Sequence, residues 1–407
     1  MKIGNVDERG ESGIGGRCFA YSSCLAVREY GKMKLTNMNR PLPLIVFFVA
    51  LAVTCLSGCD EETDKTIGGR DTVVAVGSQW YGHAPVWAGI ELGIFERHGF
   101  AVEWRFIGKS MDRLNALSSG EAQFASLGEI AMLSAMAHGN RRFYWVGNQD
   151  IAPGFEGLVA RPGIHSIEEL KGKTIGFPFG SSVDITCRLL LKQHGLNPDK
   201  DVKLVNLEVG DVPSVFRAGN VDAALVWEPG FSRLKAVEGA TVLAMDTDTE
   251  IYQKFGTMTG PDVLILGKAW TDEDPTRAKR LLEAYFEALV WVRDHSAEAA
   301  ELIHNKYIRQ DLSIIKDNMA RFVWLDADDQ LRVMSEKSLY PQVELISELL
   351  YSQIKAIPSK PDFRKWVNLS VLPIRAVKAA AVETESGGGE SASAGMMQRP
   401  KSVTISD

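Results

Sequence analysis

The sequence predicts an α/β molecule of two lobes, each a mostly parallel sheet flanked by helices, with the chain crossing between them twice. Three observations lead there. Short apolar, β-branched runs alternate with helix-period stretches from residue 72 to 266, and a β-α repeat with short connections lays strands side by side beneath helices. The same grammar runs twice, over 72–160 and again over 161–260. The patterned part of the chain, 72–376, is about 305 residues, more than one core usually serves.

Thr72-Val73-Val74-Ala75-Val76-Gly77 reads as a buried strand, and the helix after it runs through Trp87 to His98, stopping at Gly99. Strand Ala101–Ile107, helix Met111–Leu117, strand Ala122–Leu127, helix Ile130–Ala137 and strand Phe143–Val146 follow. Ser166-Ile167-Glu168-Glu169 has the form of a capping box, Ser accepting from the third helical amide and Glu reaching back, before a brief helix. Strand Thr174–Phe177, helix 183–194, strand Val202–Val205, helix 212–218 and strand Asp222–Val226 complete the second repeat. After strand Pro261–Leu266 the pattern turns helical, with amphipathic stretches at 275–294, 296–306 and 340–355. These helices are expected to return to the first lobe, giving 72–160 with 261–376 as lobe 1 and 161–260 as lobe 2. The crossings then fall near 159–162 and 245–261.

Ahead of the globule, Lys32, Lys34 and Arg40 precede an apolar run from Leu42 to Leu56 that ends in Leu56-Ser57-Gly58-Cys59. A basic segment, a short apolar core and small residues before a cysteine form an export signal. About 15 residues interrupted by Pro43 fall short of the ~20 that span a bilayer. The ending resembles the lipobox of bacterial lipoproteins, in which cleavage precedes a cysteine that receives a diacylglycerol. The expectation is a signal peptide over 1–58, read from Met1 or from Met33, then lipidated Cys59 and a solvated tether over 59–71. Residues 377–407, polar and carrying Gly387-Gly388-Gly389, are expected to be disordered.

Cleavage removes Cys18, Cys24 and Cys55 and leaves Cys59 and Cys187, so no disulfide and no thiol-based metal or redox chemistry is expected. A formal charge of -7 and a pI near 5.7, with no basic stripe, exclude a nucleic-acid partner.

In open parallel sheets ligands sit beyond the carboxyl ends of the strands. The loops there are Ser78-Gln79-Trp80-Tyr81-Gly82, Gly128-Glu129, Phe179-Gly180-Ser181-Ser182 and Trp227-Glu228-Pro229. Ser181 and Ser182, with free amides at the positive end of a helix, suit an anion, although a serine here also serves simply as a cap. Trp80, Tyr81 and Trp227 suit the walls of a pocket or packing at the lobe interface. Glu129, Glu156, Glu228 and Asp262 are acids near strand ends, and one that faces a cleft can pair with an ammonium. His83, at a helix start, is read as a cap or surface group.

At these residues the chain resembles the periplasmic substrate-binding proteins of ABC importers for taurine, alkanesulfonates and nitrate. The resemblance covers about 72–370. It rests on Ala88-Gly89-Ile90-Glu91-Leu92-Gly93-Ile94-Phe95, on Leu117-Ser118-Ser119-Gly120-Glu121-Ala122-Gln123, on Ser166 to Lys173, and most specifically on Val221-Asp222-Ala223-Ala224-Leu225-Val226-Trp227-Glu228-Pro229. Asp262 resembles the aspartate that the taurine-binding branch sets before its return strand to hold the ligand's amine, and Phe322-Val323-Trp324-Leu325 with Asp329-Gln330 is also similar to that branch.

What the resemblance implies is a periplasmic-binding-protein fold that closes over a small zwitterion or anion and passes it to a permease in the inner membrane. It implies a monomer without cofactor or metal, not an enzyme, tethered through Cys59 on the periplasmic side of the cell membrane. Asp60 resembles the residue that retains such lipoproteins there. Gln79, Trp80, Tyr81, Gly128, Glu129, Ser181, Ser182, Trp227, Glu228 and Asp262 form the expected ligand site, with the amine at Asp262 and Glu129. Glu129 departs from the serine usual in sulfonate binders and would repel an anion if it faced the cleft. The alternative is an enzyme or pyrimidine-precursor binder on the same scaffold, but the pyrimidine-forming relatives use a cysteine-rich segment where this chain has Cys187 alone.

Overall fold

The computed structural model describes residues 66–67 and 69–374. The expected signal peptide, Cys59, most of the tether and the tail over 377–407 lie outside the described residues.

The first sheet gathers β1 (Thr66–Ile67), β2 (Arg70–Gly77), β3 (Phe100–Phe106), β4 (Phe124–Gly128) and β5 (Phe143–Asn148). Between them run α1 (Ala84–Glu91), α2 (Ile94–Arg97), α3 (Ser110–Ser119) and α4 (Glu129–Ala137). Side chains alternate across a strand, and in β2 Val73 and Ala75 enter the core on one face while Val74 and Val76 enter the core on the other. A strand buried on both faces is therefore apolar throughout. The expected helix to His98 is broken between α1 and α2 because Gly93 takes a left-handed conformation (φ 65°).

After β6 (Asp150–Ile151) the chain enters the second sheet through β7 (Glu156–Ala160). The rest of that lobe is β8 (Thr174–Phe177), α5 (Ser182–Gln193), β9 (Lys203–Asn206), α6 (Val212–Arg217), β10 (Ala223–Trp227), α7 (Gly230–Lys235) and β11 (Thr241–Met245), in the sheet order β11-β7-β10-β8-β9. Because β7 pairs with β10 and β11, the second lobe starts at residue 156, and the first passage lies at 149–155 rather than 159–162. The expected capping box is not formed. Glu169 accepts instead from the His165 amide at 2.8 Å, and Glu168–Leu170 is a single 3-10 turn.

The chain returns past α8 (Glu250–Phe255) into β12 (Asp262–Gly267), which inserts between β4 and β5. Apart from β1, which pairs antiparallel with β2 at the edge, both sheets are mixed for one reason. β7 and β12, the strands by which the chain enters one lobe and re-enters the other, run antiparallel to their neighbours, while β2, β3, β4 and β5 share one direction and so do β8 to β11.

Then come α9 (Lys268–Glu273), α10 (Pro275–Asp294), α11 (Ser296–Ile303), α12 (Leu312–Met319), β13 (Val323–Trp324), α13 (Ala327–Val333) and α14 (Leu339–Glu348). Asp274 caps α10 by accepting from the Thr276 and Arg277 amides, each at 2.9 Å, with Pro275 at the first helical position. Residues of α10 and α11 share a core with α1 on one face of the first sheet, and residues of α3, α4 and α14 cover the other. Buried Gln330 ties α13 to the end of β5, donating to Asn148 O at 2.7 Å and accepting from Asn148 N at 2.8 Å. No helix among the described residues is long and apolar enough to cross a membrane.

Candidate functional site

The carboxyl ends of strands from both sheets meet at a cleft of about 610 Å³, counting its open mouth. On the first lobe, the segment after β2 contributes Ser78, Trp80 and His83, the start of α3 contributes Ser110 and Arg113, and the β4–α4 turn contributes Gly128 and Ile130. The second lobe contributes Gly180, Ser181 and Ser182 before α5 and Trp227 at the end of β10. Between the lobes, Ala152 and Phe155 come from the first passage and Met258 and Gly260 from the second, while Glu156 opens β7 and Asp262 opens β12.

Two glycines let these parts approach. A side chain at Gly82 would lie 2.4 Å from Trp80 Nε1 and 2.7 Å from Asp150 Oδ2. One at Gly260 would press on Ser182 Cβ at 3.2 Å and Ile130 Cγ1 at 3.3 Å, where the return passage runs between helix starts of the two lobes.

The cleft brings buried charges of both signs together. Burial raises the Asp262 carboxyl to about 6 against the opposing pull of Arg113, and Gln149 Nε2 donates to it at 3.3 Å. Trp80 Nε1 is near enough to favour ionised Asp262 without reaching hydrogen-bonding geometry. Glu156 is also pushed up by burial, but its carboxylate accepts from Ser182 Oγ at 2.6 Å, Thr186 Oγ1 at 2.6 Å and Thr259 Oγ1 at 3.2 Å, which oppose the shift. Beside the passages, burial holds Asp150 and Asp246 well above the usual carboxylate range. The nearby charges of Asp262 and Glu156, respectively, add to it.

Arg113 is the buried cation of the wall. It donates from Nη1 to Ser126 O at 2.8 Å and from Nη2 to Ser110 Oγ at 2.7 Å, and burial lowers its guanidinium to about 10. His83 Nε2 accepts from the Ser78 amide at 2.9 Å. A backbone N–H can only donate, so the ring proton sits on Nδ1, and burial keeps the imidazole neutral.

Of the residues expected from sequence, Trp80, Gly128, Ser181, Ser182, Trp227 and Asp262 line this cleft. Gln79 is exposed beside it. Tyr81 lies behind the wall, packed on Phe155 and Phe322 and bonded to Asn318 and Gln310. Glu228 is fully buried, accepting from Ser232 N at 2.9 Å and Ser232 Oγ at 2.8 Å in the first turn of α7. Glu129 is fully buried with neither carboxyl oxygen hydrogen-bonded, and burial raises it to about 8. It therefore neither lines the cleft nor stands ready to repel an anion, being mostly neutral at pH 7.

Ser181 does not cap α5 through its side chain but donates to Pro178 O at 2.6 Å, while the Asp184 amide donates to Ser181 O at 3.2 Å and the Gly180 amide to Asp184 Oδ2 at 3.0 Å. Sequence reasoning passed over Ser110 and Arg113, although the loop after β3 obeys the same rule that singled out the other four. His83, read as a cap or surface group, is instead a buried part of the wall.

The model of the NMT1/THI5-like family matches residues 80–299. A Bacillus subtilis (strain 168) protein named as an aliphatic sulfonates-binding protein is 25% identical over 303 residues, 73% of this chain and 83% of the relative. The taurine-binding periplasmic protein of Escherichia coli (strain K12) is 27% identical over 190 residues, 47% of this chain and 57% of the relative. Among solved structures, the periplasmic aliphatic sulphonate binding protein SsuA of Escherichia coli superposes with a TM-score of 0.60 at 20% identity, covering 72% of this chain and 96% of SsuA. The desulfurization enzyme DSZB shares the fold too, with a TM-score of 0.56 at 19% identity over 74% of this chain and 97% of the enzyme.

Proposed function

The chain belongs to the NMT1/THI5-like family, and from that membership and the cleft's chemistry we propose that it is the solute-binding lipoprotein of an ABC importer, specific for a small zwitterion or anion of the taurine and organosulfonate class. One observation carries the reading: Asp262 and the start of α5 face a single cleft from opposite lobes. A buried carboxylate favours an ammonium, and the positive end of a helix with its serine hydroxyls favours an oxyanion.

Trp80, Phe155 and Trp227 wall the middle of the ligand. Closure over it expels water, which strengthens every charged contact inside, and the ligand favours the closed state only by its differential affinity for that state. The protein binds and releases without turnover, acts as a monomer, and delivers its ligand to a permease in the inner membrane. Cys59 tethers it on the periplasmic side of the cell membrane, a reading supported by the lipobox-like Leu56-Ser57-Gly58-Cys59.

The reading is tested by the melting temperature of the purified chain with taurine, alkanesulfonates, amines, nitrate and pyrimidines. A ligand at a hundred times its Kd adds about 2.7 kcal/mol of stability, a readily measured shift. Taurine-class compounds should raise the midpoint and be recovered chemically unchanged. A rise with pyrimidines alone, or consumption of the sulfonate, would replace it.

A further inference from the structure

Arg113 is a buried cation whose two hydrogen bonds both end on neutral oxygens, Ser126 O and Ser110 Oγ. Among the described residues no carboxylate bonds to it, and its Nε is buried without any partner. A guanidinium taken out of water is stabilised by a paired anion, and this one lines a cleft with an open mouth. His83 Nδ1, which carries the ring proton, is a second buried donor of the same wall without a partner. Ser110 accepts from Arg113 through its oxygen, so its own hydroxyl hydrogen remains free to donate.

From these unpaired donors we infer that Arg113, with Ser110 and His83, forms an anion-accepting pole on the first lobe. The ligand's acidic head is then shared between this pole and the start of α5 across the cleft. The inference rests on the reading that the cleft holds a small acid-bearing solute, and it assigns the head's charge partner, which the serines at 181 and 182 do not supply. An oxyanion offers several acceptor oxygens, enough to engage donors from both lobes at once, so the head itself ties the lobes together. Asp262 then serves the amine and not the acid.

The test titrates the purified full chain with taurine and with ethanesulfonate, which keeps the acid and lacks the amine, and compares Ser110→Ala, Arg113→Lys and His83→Gln with the wild type. Ser110→Ala removes one hydroxyl at a half-buried position and keeps the fold testable if changes at Arg113 do not. Both ligands should weaken about tenfold or more in Ser110→Ala and Arg113→Lys, the scale of losing a hydrogen bond to a charged group, with a modest fall in ligand-free melting for Ser110→Ala, which takes one acceptor from Arg113. Binding of both ligands within twofold of wild type in these variants would overturn the inference. So would weakening of taurine alone, since Arg113 would then merely balance Asp262. Wild-type affinity for taurine without any for ethanesulfonate would also overturn it. Failure of the wild type to bind either ligand would instead remove the underlying reading, before any variant is compared.

Discussion

Gly128 and Glu129 are consecutive, yet one lines the cleft and the other is sealed beneath it. Glu129 opens α4, and the rotation of about 100° per residue there turns its side chain into the core. A sequence names the loop but not which of two neighbours faces outward, which is why Glu129, Tyr81 and Glu228 were grouped with Asp262. The Glu129 carboxyl, raised to about 8 by burial, is a stability liability with a definite sign. Its folded state holds the proton that the unfolded chain releases near 4.5, so its contribution is intact below that pH and is lost as pH rises towards 8. Glu129→Gln should lose less melting temperature than the wild type between pH 5 and pH 8.5. Parallel slopes would contradict the burial argument. Asp262, near 6, predicts that affinity for an ammonium-bearing ligand falls about tenfold at pH 5, whereas Asp262→Asn should be weak and flat across the same range in calorimetric titration.

At the scale of elements, α5 is fastened to β7 and to the return passage through one carboxylate. Glu156 of β7 accepts from Ser182 and Thr186 of α5 and from Thr259 of the return passage. Thr186→Val should leave that buried acid one donor short and cost about 1–3 kcal/mol, read as a lower urea midpoint with unchanged m-value. An unaltered midpoint would mean that the remaining hydroxyls suffice. An element with a long, unambiguous period was legible in the sequence: α10, Pro275–Asp294, lies where the pattern put it. β7 was not, since Glu156-Gly157 at its head looks like a polar crossing until their partners in β10 and β11 are known. α7, β11 and α13 are only 5–7 residues long, too short for a period to stand out from the surrounding polar chain.

At the scale of the whole molecule, two lobes were legible from length and repetition, but the direction of β7 and β12 was not, because antiparallel insertion is decided by where the chain must return. Between the lobes, Lys109 of the first and Glu208 of the second approach to 2.9 Å, both largely exposed. Lys109→Glu should weaken ligand binding no more than about fivefold, with the loss shrinking at high salt, as expected of a solvated pair. A loss independent of salt would point to packing instead. Mass spectrometry of the mature protein should find an acylated Cys59 at the N-terminus, and an intact Met1 or Met33 would contradict the tether. The central claim is that the cleft captures a small acid-bearing amine, and isothermal titration of the wild-type chain with taurine tests it most directly. Saturable one-to-one binding, lost in Asp262→Ala, is the predicted result, and the absence of binding to taurine and to every other sulfonate offered would contradict it.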